Sequence, residues 1–257
     1  MSGRELRLRR LFRHGPRLLA VPLDHAVTDG PIVPRGDLNA LVGELTGNGA
    51  DAIVVHRGGA ARLAPGVLGD AALIVHLSAS TRHAPDPDAK YLVAGVDSAV
   101  RLGADAVSVH VNLGAREERQ QVADLARVAD ECDRWQLPLL AMIYPRGPEI
   151  ANPRDPALIA HAATLAADLG ADIVKTPYAG EVDAMADVVA SCPIPLIVAG
   201  GARLNATGEI LAFVDDALAA GTAGLAMGRN IFQAPDAGHL TRLIAQHVHG
   251  VREEALT

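Results

Sequence analysis

Short apolar runs of strand length recur along the chain, and each is followed by a polar loop and a helix-like pattern. The runs lie at residues 17–25, 51–57, 71–78, 105–112, 138–146, 172–178, 195–201 and 223–229. The segments between them predict helices, of which the clearest lie at 117–135, 155–169, 182–190 and 208–219. Continuously apolar strands that alternate with helices are typical of a parallel sheet covered on both faces. Eight such units predict an α/β protein with a (β/α)8 TIM-barrel fold.

Length and local signals favour one barrel over an open sheet. The 257 residues match the roughly 250 of such barrels. No Gly-x-Gly-x-x-Gly motif follows the first strand, as a nucleotide-binding open sheet would require, and no linker or low-complexity tract divides the chain. Asp155 and Asn205 stand near expected helix starts, and Gly170 and Gly221 near expected helix ends. We expect a single domain over residues 1–257 with a short N-terminal helix.

A lysine ends one of the predicted buried strands. The segment ADIVKTPY places Lys175 directly after an apolar run, and Lys90 is the only other lysine, against 21 arginines. A desolvated lysine amine can lose its proton and attack a carbonyl carbon, whereas an arginine stays protonated. A snorkelling surface lysine is the ordinary alternative. The strand-end position and the scarcity of lysine favour a nucleophile.

Polar or glycine residues close all eight apolar runs, and a TIM barrel gathers its strand ends at one mouth. Glycines after strands 7 and 8, with an arginine, predict a phosphate site, although tight turns also use glycine. Asp24 and Tyr144 would supply acid and base groups for an imine on Lys175, unless they are structural groups. The closing residues are Asp24 and His25, His56 and Arg57, His76 and Ser78, His110 and Asn112, Tyr144 and Arg146, Lys175, Gly200 and Gly201, and Gly228 and Arg229.

Composition narrows the possible partners. The formal net charge of -7 argues against nucleic acid or an anionic membrane as a partner. The basic N-terminus lacks the apolar segment of a secretory signal, and two cysteines without metal-ligand spacing fit a reducing cytoplasm. The four strand-end histidines could gather a divalent ion, but no His-x-His closes the first strand. We therefore expect no metal and no cofactor.

Seven segments carry a resemblance to a known family. They are PLDHAVTDGP, HLSAST, SVHVNLG, MIYPRG, ADIVKTPY, VAGGAR and GLAMGRNIFQ, and they span nearly the whole chain. In order and spacing they resemble the archaeal-type class I aldolases, above all the 2-amino-3,7-dideoxy-D-threo-hept-6-ulosonate synthases and a group of actinobacterial aminohydroxybenzoate-precursor aldolases. The resemblance places the family's Schiff-base lysine on Lys175, its proton-donating tyrosine on Tyr144 and its proton-accepting aspartate on Asp24. Its substrate-contacting positions fall on His25, Ala26, Val27, Thr28, Pro145, Arg146, Gly200, Gly201, Gly228 and Arg229.

The resemblance implies a reaction class and an assembly. It implies a metal-independent aldolase or transaldolase that joins a phosphorylated ketose fragment, dihydroxyacetone phosphate or a deoxyketohexose phosphate, to the amino-aldehyde L-aspartate 4-semialdehyde. It also implies a homo-oligomer, since decamers are common in the family. An aldolase for fructose 1,6-bisphosphate or a related sugar phosphate is the alternative, and a non-catalytic phosphosugar-binding barrel is a third hypothesis. Arg57, Arg82, Arg146 and the histidines are candidates for the acceptor's charged ends, without assignment.

Overall fold

The computed structural model describes residues 1–33 and 37–250, so the predicted domain end at residue 257 lies outside the described residues. The strands there are β1 (Leu18–Pro22), β2 (Ala52–His56), β3 (Ala72–His76), β4 (Ser78–Ala79), β5 (Tyr91–Leu92), β6 (Ala106–Leu113), β7 (Leu139–Pro145), β8 (Ile173–Thr176), β9 (Leu196–Ala199) and β10 (Gly224–Ala226). Eight form a closed parallel barrel in the order β1-β10-β9-β8-β7-β6-β3-β2. Each predicted apolar run coincides with one barrel strand, and β6 alone extends beyond its run, by one residue. The predicted TIM barrel is confirmed, and the open-sheet alternative is wrong.

The helices surround the barrel. The four predicted from the sequence pattern are confirmed to within one residue at each end. The Asp155 carboxylate accepts hydrogen bonds from the amides of Ala157 and Leu158 at the start of its helix, and Gly170 follows the helix end with φ 94°. The helices are α1 (Gly3–Leu11), α2 (His25–Asp29), α3 (Leu38–Gly47), α4 (Arg57–Ala60), α5 (Val96–Arg101), α6 (Glu118–Trp135), α7 (Pro156–Asp168), α8 (Val182–Ser191), α9 (Thr207–Ala219), α10 (Arg229–Phe232) and α11 (Ala237–His249).

Two apolar layers hold the barrel together. One lies between the strands and the helices, and the other fills the barrel interior. Because side chains alternate along a strand, each barrel strand contributes to both layers. The interior layer is aliphatic and includes Leu18, Ala20, Val54, Ile74, Leu140, Met142, Ile173 and Ile197. It forms an apolar support beneath the polar side chains at the strand ends.

The N-terminal helix closes the amino-terminal end of the barrel, called the floor below. Leu11 is fully buried in the interior cluster, and Leu8 and Phe12 pack against that cluster. The polar residues that close the apolar runs lie at the opposite ends of the strands, which form the barrel mouth. Among the described helices, none is long and apolar enough to cross a membrane.

Arginines of the N-terminal segment pair with aspartates that precede three barrel strands. The nitrogen–oxygen distances are 3.5 Å for Arg4–Asp172, 2.9 Å for Arg10–Asp105 and 3.5 Å for Arg13–Asp51. These aspartates end the repeated Gly-Ala-Asp phrases of the sequence. Their carboxylates also accept hydrogen bonds from strand amides: Asp51 from Leu19, Asp105 from Leu73 and Asp172 from Leu139. The repeat thus ties neighbouring strands to each other and to the N-terminal helix.

Candidate active site

Lys175 points into the barrel mouth from β8. Its side chain is 7% exposed, and it pairs in register with Met142 of β7. Among the described residues, the one hydrogen-bond contact of its Nζ is a weak one to Met142 Sδ at 4.0 Å. No carboxylate within the described chain forms an ion pair with it at 4.0 Å or less. The amine is therefore buried yet available to react, as a nucleophilic lysine requires.

Asp24 lies directly after β1, at the start of the short helix α2. Its Oδ2 is 3.8 Å from His76 Nε2, and its Oδ1 is 3.5 Å from His25 Nδ1. Burial alone raises the pKa of Asp24, but His76, His25 and Lys175 together outweigh burial and lower it below its usual value. Oδ1 is buried and finds no hydrogen-bond partner among the described residues. An ionised carboxylate with a free lone pair is suited to accept a proton.

Tyr144 lies on the same face of β7 as Met142, the register partner of Lys175, and is two residues nearer the mouth. Its ring centroid is 4.9 Å from that of His110, and the Arg146 guanidinium lies 5.4 Å from it. Tyr144 packs against the interior apolar cluster. A phenol held at this end of β7 can give a proton to a substrate oxygen.

Burial favours the uncharged form of the four strand-end histidines. Burial lowers the pKa of His25, His56 and His110 from the usual 6.5, and that of His76 to about 4 despite the opposing charge of Asp24. His56 Nδ1–H donates to the His76 carbonyl, and His110 Nε2–H donates to the Asn112 side-chain oxygen. His76 Nδ1 shares a hydrogen bond of 2.8 Å with Ser108. The rings of His56, His76 and His110 thus act as fixed hydrogen-bonding groups.

Packing explains two of the predicted phosphate-site glycines. A Cβ on Gly200 would meet Met227 Cγ at 2.6 Å, and one on Gly228 would meet the Pro22 carbonyl oxygen at 2.6 Å. The Gly200 amide donates to the Ala226 carbonyl at 3.1 Å, so this predicted phosphate donor is already used. The remaining predicted donors are the amides of Gly201, Gly228 and Arg229.

Asn230 holds the loops after β9 and β10 against each other. Its buried amide nitrogen donates to the carbonyls of Gly200 and Ala202, and its oxygen accepts from the Leu204 amide at 2.8 Å. The Arg229 guanidinium donates to the Gly201 carbonyl at 3.3 Å. This bracing role was not predicted, because an asparagine inside a helix-like segment gives no signal of the loop that it holds.

A polar cavity lies beside these loops. It has a volume of about 400 Å³, and its lining includes Arg82, Arg203, Arg229 and His25. Three arginines in one cavity suit a dianionic ligand group, because guanidinium groups bind phosphate oxygens through paired hydrogen bonds. Arg229 was predicted here. Arg203 was missed, and Arg82 was a candidate for a different role.

Other predicted binding residues lie apart from Lys175. Ala26 and Val27 of α2 are exposed and line an apolar cavity of about 370 Å³ with Leu23 and Ile32. Thr28 donates its hydroxyl hydrogen to the Ser80 carbonyl and so joins the loops after β1 and β3. The structure gives Ala26 and Val27 no contact with the catalytic lysine candidate. Pro145 ends β7 and precedes Arg146, and Arg57 is exposed on α4.

A separate group of potential metal ligands lies at the barrel floor. His14, Asp51 and His249 bring ligand atoms within 4.8 Å of one another. The Asp51 carboxylate already accepts the Leu19 amide at 2.7 Å and faces the Arg13 guanidinium at 3.5 Å. These donors satisfy the carboxylate, so we assign no metal to this group.

Comparison with known proteins places the chain in a family. The family model described as DeoC/LacD family aldolase matches residues 18–234. The chain belongs to the DeoC/LacD aldolase family. It is an aldolase of the class I, Schiff-base type, as its named relatives are. The archaeal-type class I aldolase resemblance seen in the sequence is thereby confirmed.

Three relatives show how this aldolase is related to others. It is 57% identical to 2-amino-4,5-dihydroxy-6-oxo-7-(phosphonooxy)heptanoate synthase of Streptomyces griseus, over 96% of this chain and 90% of the relative. It is 41% identical to 2-amino-3,7-dideoxy-D-threo-hept-6-ulosonate synthase 1 of Archaeoglobus fulgidus, over 97% of this chain and 92% of the relative. A solved archaeal fructose-1,6-bisphosphate aldolase, with its catalytic lysine bound to a carbinolamine intermediate, is 28% identical with a TM-score of 0.87. The match covers 97% of this chain and 100% of the solved chain.

Proposed function

We propose that this aldolase joins dihydroxyacetone phosphate to L-aspartate 4-semialdehyde through an imine on Lys175. The observation that carries the proposal is the buried Lys175 amine, which forms no ion pair among the described residues and lowers the pKa of Asp24. Tyr144 lies two residues beyond Met142, the register partner of Lys175. The 57% identity to the Streptomyces griseus synthase supports these substrates. The seven-carbon product named there equals a three-carbon ketone phosphate plus a four-carbon amino-aldehyde.

Each step has a residue placed to perform it. The Lys175 amine attacks the donor ketone and loses water, which gives a protonated imine that withdraws electrons. Asp24 then accepts a proton from the hydroxymethyl carbon next to the imine, leaving a nucleophilic enamine. The enamine carbon bonds to the aldehyde carbon of the acceptor, whose oxygen takes a proton from Tyr144. Hydrolysis of the new imine returns the Lys175 amine and releases the keto product.

The polar cavity with Arg82, Arg203 and Arg229 supports a phosphorylated donor. His25 lines this cavity and also lies 3.5 Å from Asp24, so a phosphate held there would leave the rest of the ligand near the proton acceptor. The amides of Gly201, Gly228 and Arg229 add donors on the same side. We propose no metal, because the protonated imine supplies the electron withdrawal that a metal would otherwise provide.

Borohydride trapping tests the proposal. With dihydroxyacetone phosphate and borohydride, one reduced adduct should form on the peptide containing Lys175. With dihydroxyacetone phosphate and L-aspartate 4-semialdehyde, and without borohydride, the seven-carbon product should form. Lys175→Arg keeps a cation at the strand end but cannot form an imine, so turnover should be abolished with unchanged circular dichroism. An adduct on Lys90, or an active Lys175→Arg variant, would contradict the assignment.

The fold likeness to the archaeal fructose-1,6-bisphosphate aldolase favours a second candidate, cleavage of that sugar bisphosphate. The same imine chemistry run in reverse would perform it. Purified protein should show a far higher kcat/KM for the semialdehyde than for glyceraldehyde 3-phosphate as acceptor. Efficient fructose 1,6-bisphosphate cleavage without use of the semialdehyde would favour the second candidate.

A further inference from the structure

Lys90, the second lysine of the chain, reaches the barrel mouth from the loop after β3. It precedes β5, which pairs with β4 in the antiparallel ribbon. Its half-buried ammonium donates to the Ser80 hydroxyl, and the Ser80 carbonyl accepts from Thr28 of α2 at 3.1 Å. Lys90 therefore lies where the loops that follow β1 and β3 meet, next to the loop that carries Asp24.

A second cation approaches from the other side. Arg146, which follows β7, places its guanidinium over the Tyr144 ring and 3.6 Å from the Asp88 carboxylate. Burial, then the charge of Arg146, lowers the pKa of Lys90, while Asp88 opposes them. Two cations from different loops, with one carboxylate, thus surround the approach to Tyr144. This arrangement leaves one positive charge without a partner among these three groups.

Side chains of β6 and α6 hold the backbone of Asp88 in place. The Asp88 backbone carbonyl accepts hydrogen bonds from the side-chain amides of Asn112 and Gln121, at 2.8 and 3.0 Å. Both of these side chains are buried, and the Asn112 backbone N–H in turn donates to the Gln121 side-chain oxygen at 2.8 Å. The Asp88 side chain remains one-third exposed. Its anchored backbone and accessible carboxylate are features of a binding group more than of a flexible loop residue.

We propose that Lys90 and Arg146 bind the α-carboxylate of the amino-aldehyde acceptor and that Asp88 binds its α-ammonium group. The inference rests on the proposed function, which brings an amino-aldehyde to Tyr144. A carboxylate is recognised by paired cations, and an ammonium group by a carboxylate. The donor phosphate has its own three arginines in the polar cavity. The acceptor's aldehyde would then face the Tyr144 hydroxyl, where the new alkoxide needs its proton.

Three aldehydes separate the charged groups of the acceptor. L-Aspartate 4-semialdehyde has both groups, succinic semialdehyde has the carboxylate alone, and butanal has neither. Lys90→Met keeps the length of the side chain and removes its charge. We expect it to lower the kcat/KM ratio of succinic semialdehyde to butanal by about 10- to 100-fold, the usual scale of a charged hydrogen bond. Asp88→Asn should instead lower the ratio of kcat/KM for aspartate semialdehyde to kcat/KM for succinic semialdehyde.

Arg101→Met is the matched control, because it removes one positive charge from α5 at a side chain that is 70% exposed. It should leave both ratios unchanged, and thermal unfolding should show that all variants fold. An unchanged succinic-to-butanal ratio in Lys90→Met overturns the inference. The inference is also overturned if Lys90→Met lowers kcat/KM equally for all three aldehydes and raises the KM for dihydroxyacetone phosphate. That result would assign Lys90 to the donor.

Failure of the proposed function gives a different result. If the wild-type protein ignores aspartate semialdehyde but prefers succinic semialdehyde over butanal through Lys90, the named acceptor is wrong and the carboxylate site stands. If the wild-type protein shows no preference for aldehydes with a carboxylate, the carboxylate site is wrong. Donor trapping on Lys175 is measured in the same samples and reports the imine chemistry independently of either acceptor.

Discussion

Both lysines of this arginine-rich chain lie at the barrel mouth, and the two positions use different properties of the side chain. Lys175 is buried and unpaired, which suits an amine that must become a nucleophile. Lys90 is half-buried and bonded to Ser80, which suits a compact fixed charge. The scarcity of lysine singled out Lys175 in the sequence. The same scarcity applies to Lys90. This lysine was not predicted as a site residue because it does not close a barrel strand.

Tyr144→Phe should separate proton donation from packing. The ring would keep its contacts with His110 and Arg146, while the hydroxyl would be lost. We expect kcat to fall by about 10²-fold or more, the usual scale of general acid catalysis, with little change in KM. Borohydride trapping of the donor on Lys175 should persist, because imine formation precedes the step assigned to the phenol. A change in KM alone would make Tyr144 a binding residue.

The site could be predicted where chemistry and strand position coincide. Asp24, Tyr144, Lys175 and Arg229 all lie within three residues of the end of a barrel strand, and the parallel barrel brings these ends to one mouth. Their catalytic roles stay predictions. Gly200 shows why the rest could not be predicted, since its amide bonds to the Ala226 carbonyl and a sequence does not reveal which loop amides are already used.

At the scale of elements, barrel strands were predictable and the ribbon was not. A buried parallel strand gives a long apolar run, whereas β4 and β5 have two residues each and no readable period. This ribbon carries Lys90 into the mouth. The N-terminal helix was predicted as a short helix, but its role in closing the floor depends on pairing with Asp51, Asp105 and Asp172, which are far away in sequence.

Leu11→Ala tests the closing role of α1. Leu11 is fully buried in the interior cluster, so its truncation should lower the free energy of unfolding by about 2–5 kcal/mol. Leu6→Ala is the matched control on the same helix, because Leu6 is 52% exposed and should change stability by less than about 0.5 kcal/mol. Urea denaturation measures both. Equal effects of the two variants would mean that α1 does not seal the barrel.

For the whole molecule, the barrel and the aldolase class agree with what the sequence predicted, and the assembly remains a prediction. The homo-oligomer, of the decameric kind, rests on family resemblance alone, because surface residues that meet a partner leave no periodic signal in one chain. Among the described residues, large exposed apolar side chains lie on several elements, such as Leu6 on α1, Val27 on α2, Tyr91 on β5 and Trp135 on α6. They do not identify a single interface.

The buried histidines make the stability of the whole fold depend on pH. His25, His56, His76 and His110 have pKa values below the usual 6.5 because of burial, so between pH 6.5 and about 4 the unfolded chain binds more protons than the folded one. The contribution of the neutral histidines to the free energy of unfolding is therefore fully present above pH 6.5 and is lost as pH falls toward 4. His76 alone, shifted to about 4, should account for about 3 kcal/mol.

Urea denaturation between pH 7 and pH 4.5 measures this loss. Asp24, with a lowered pKa, loses its contribution only below that range, whereas burial raises the pKa of Asp172, which acts in the opposite direction. His76→Asn keeps a polar atom near Ser108 and removes the titrating ring, so its denaturation midpoint should change less with pH than that of the wild type. His161→Asn, on the exposed side of α7, should keep the pH dependence of the wild-type midpoint. If the midpoint of His76→Asn changes with pH as much as that of the wild type, the protons that destabilise the fold are taken up by other groups.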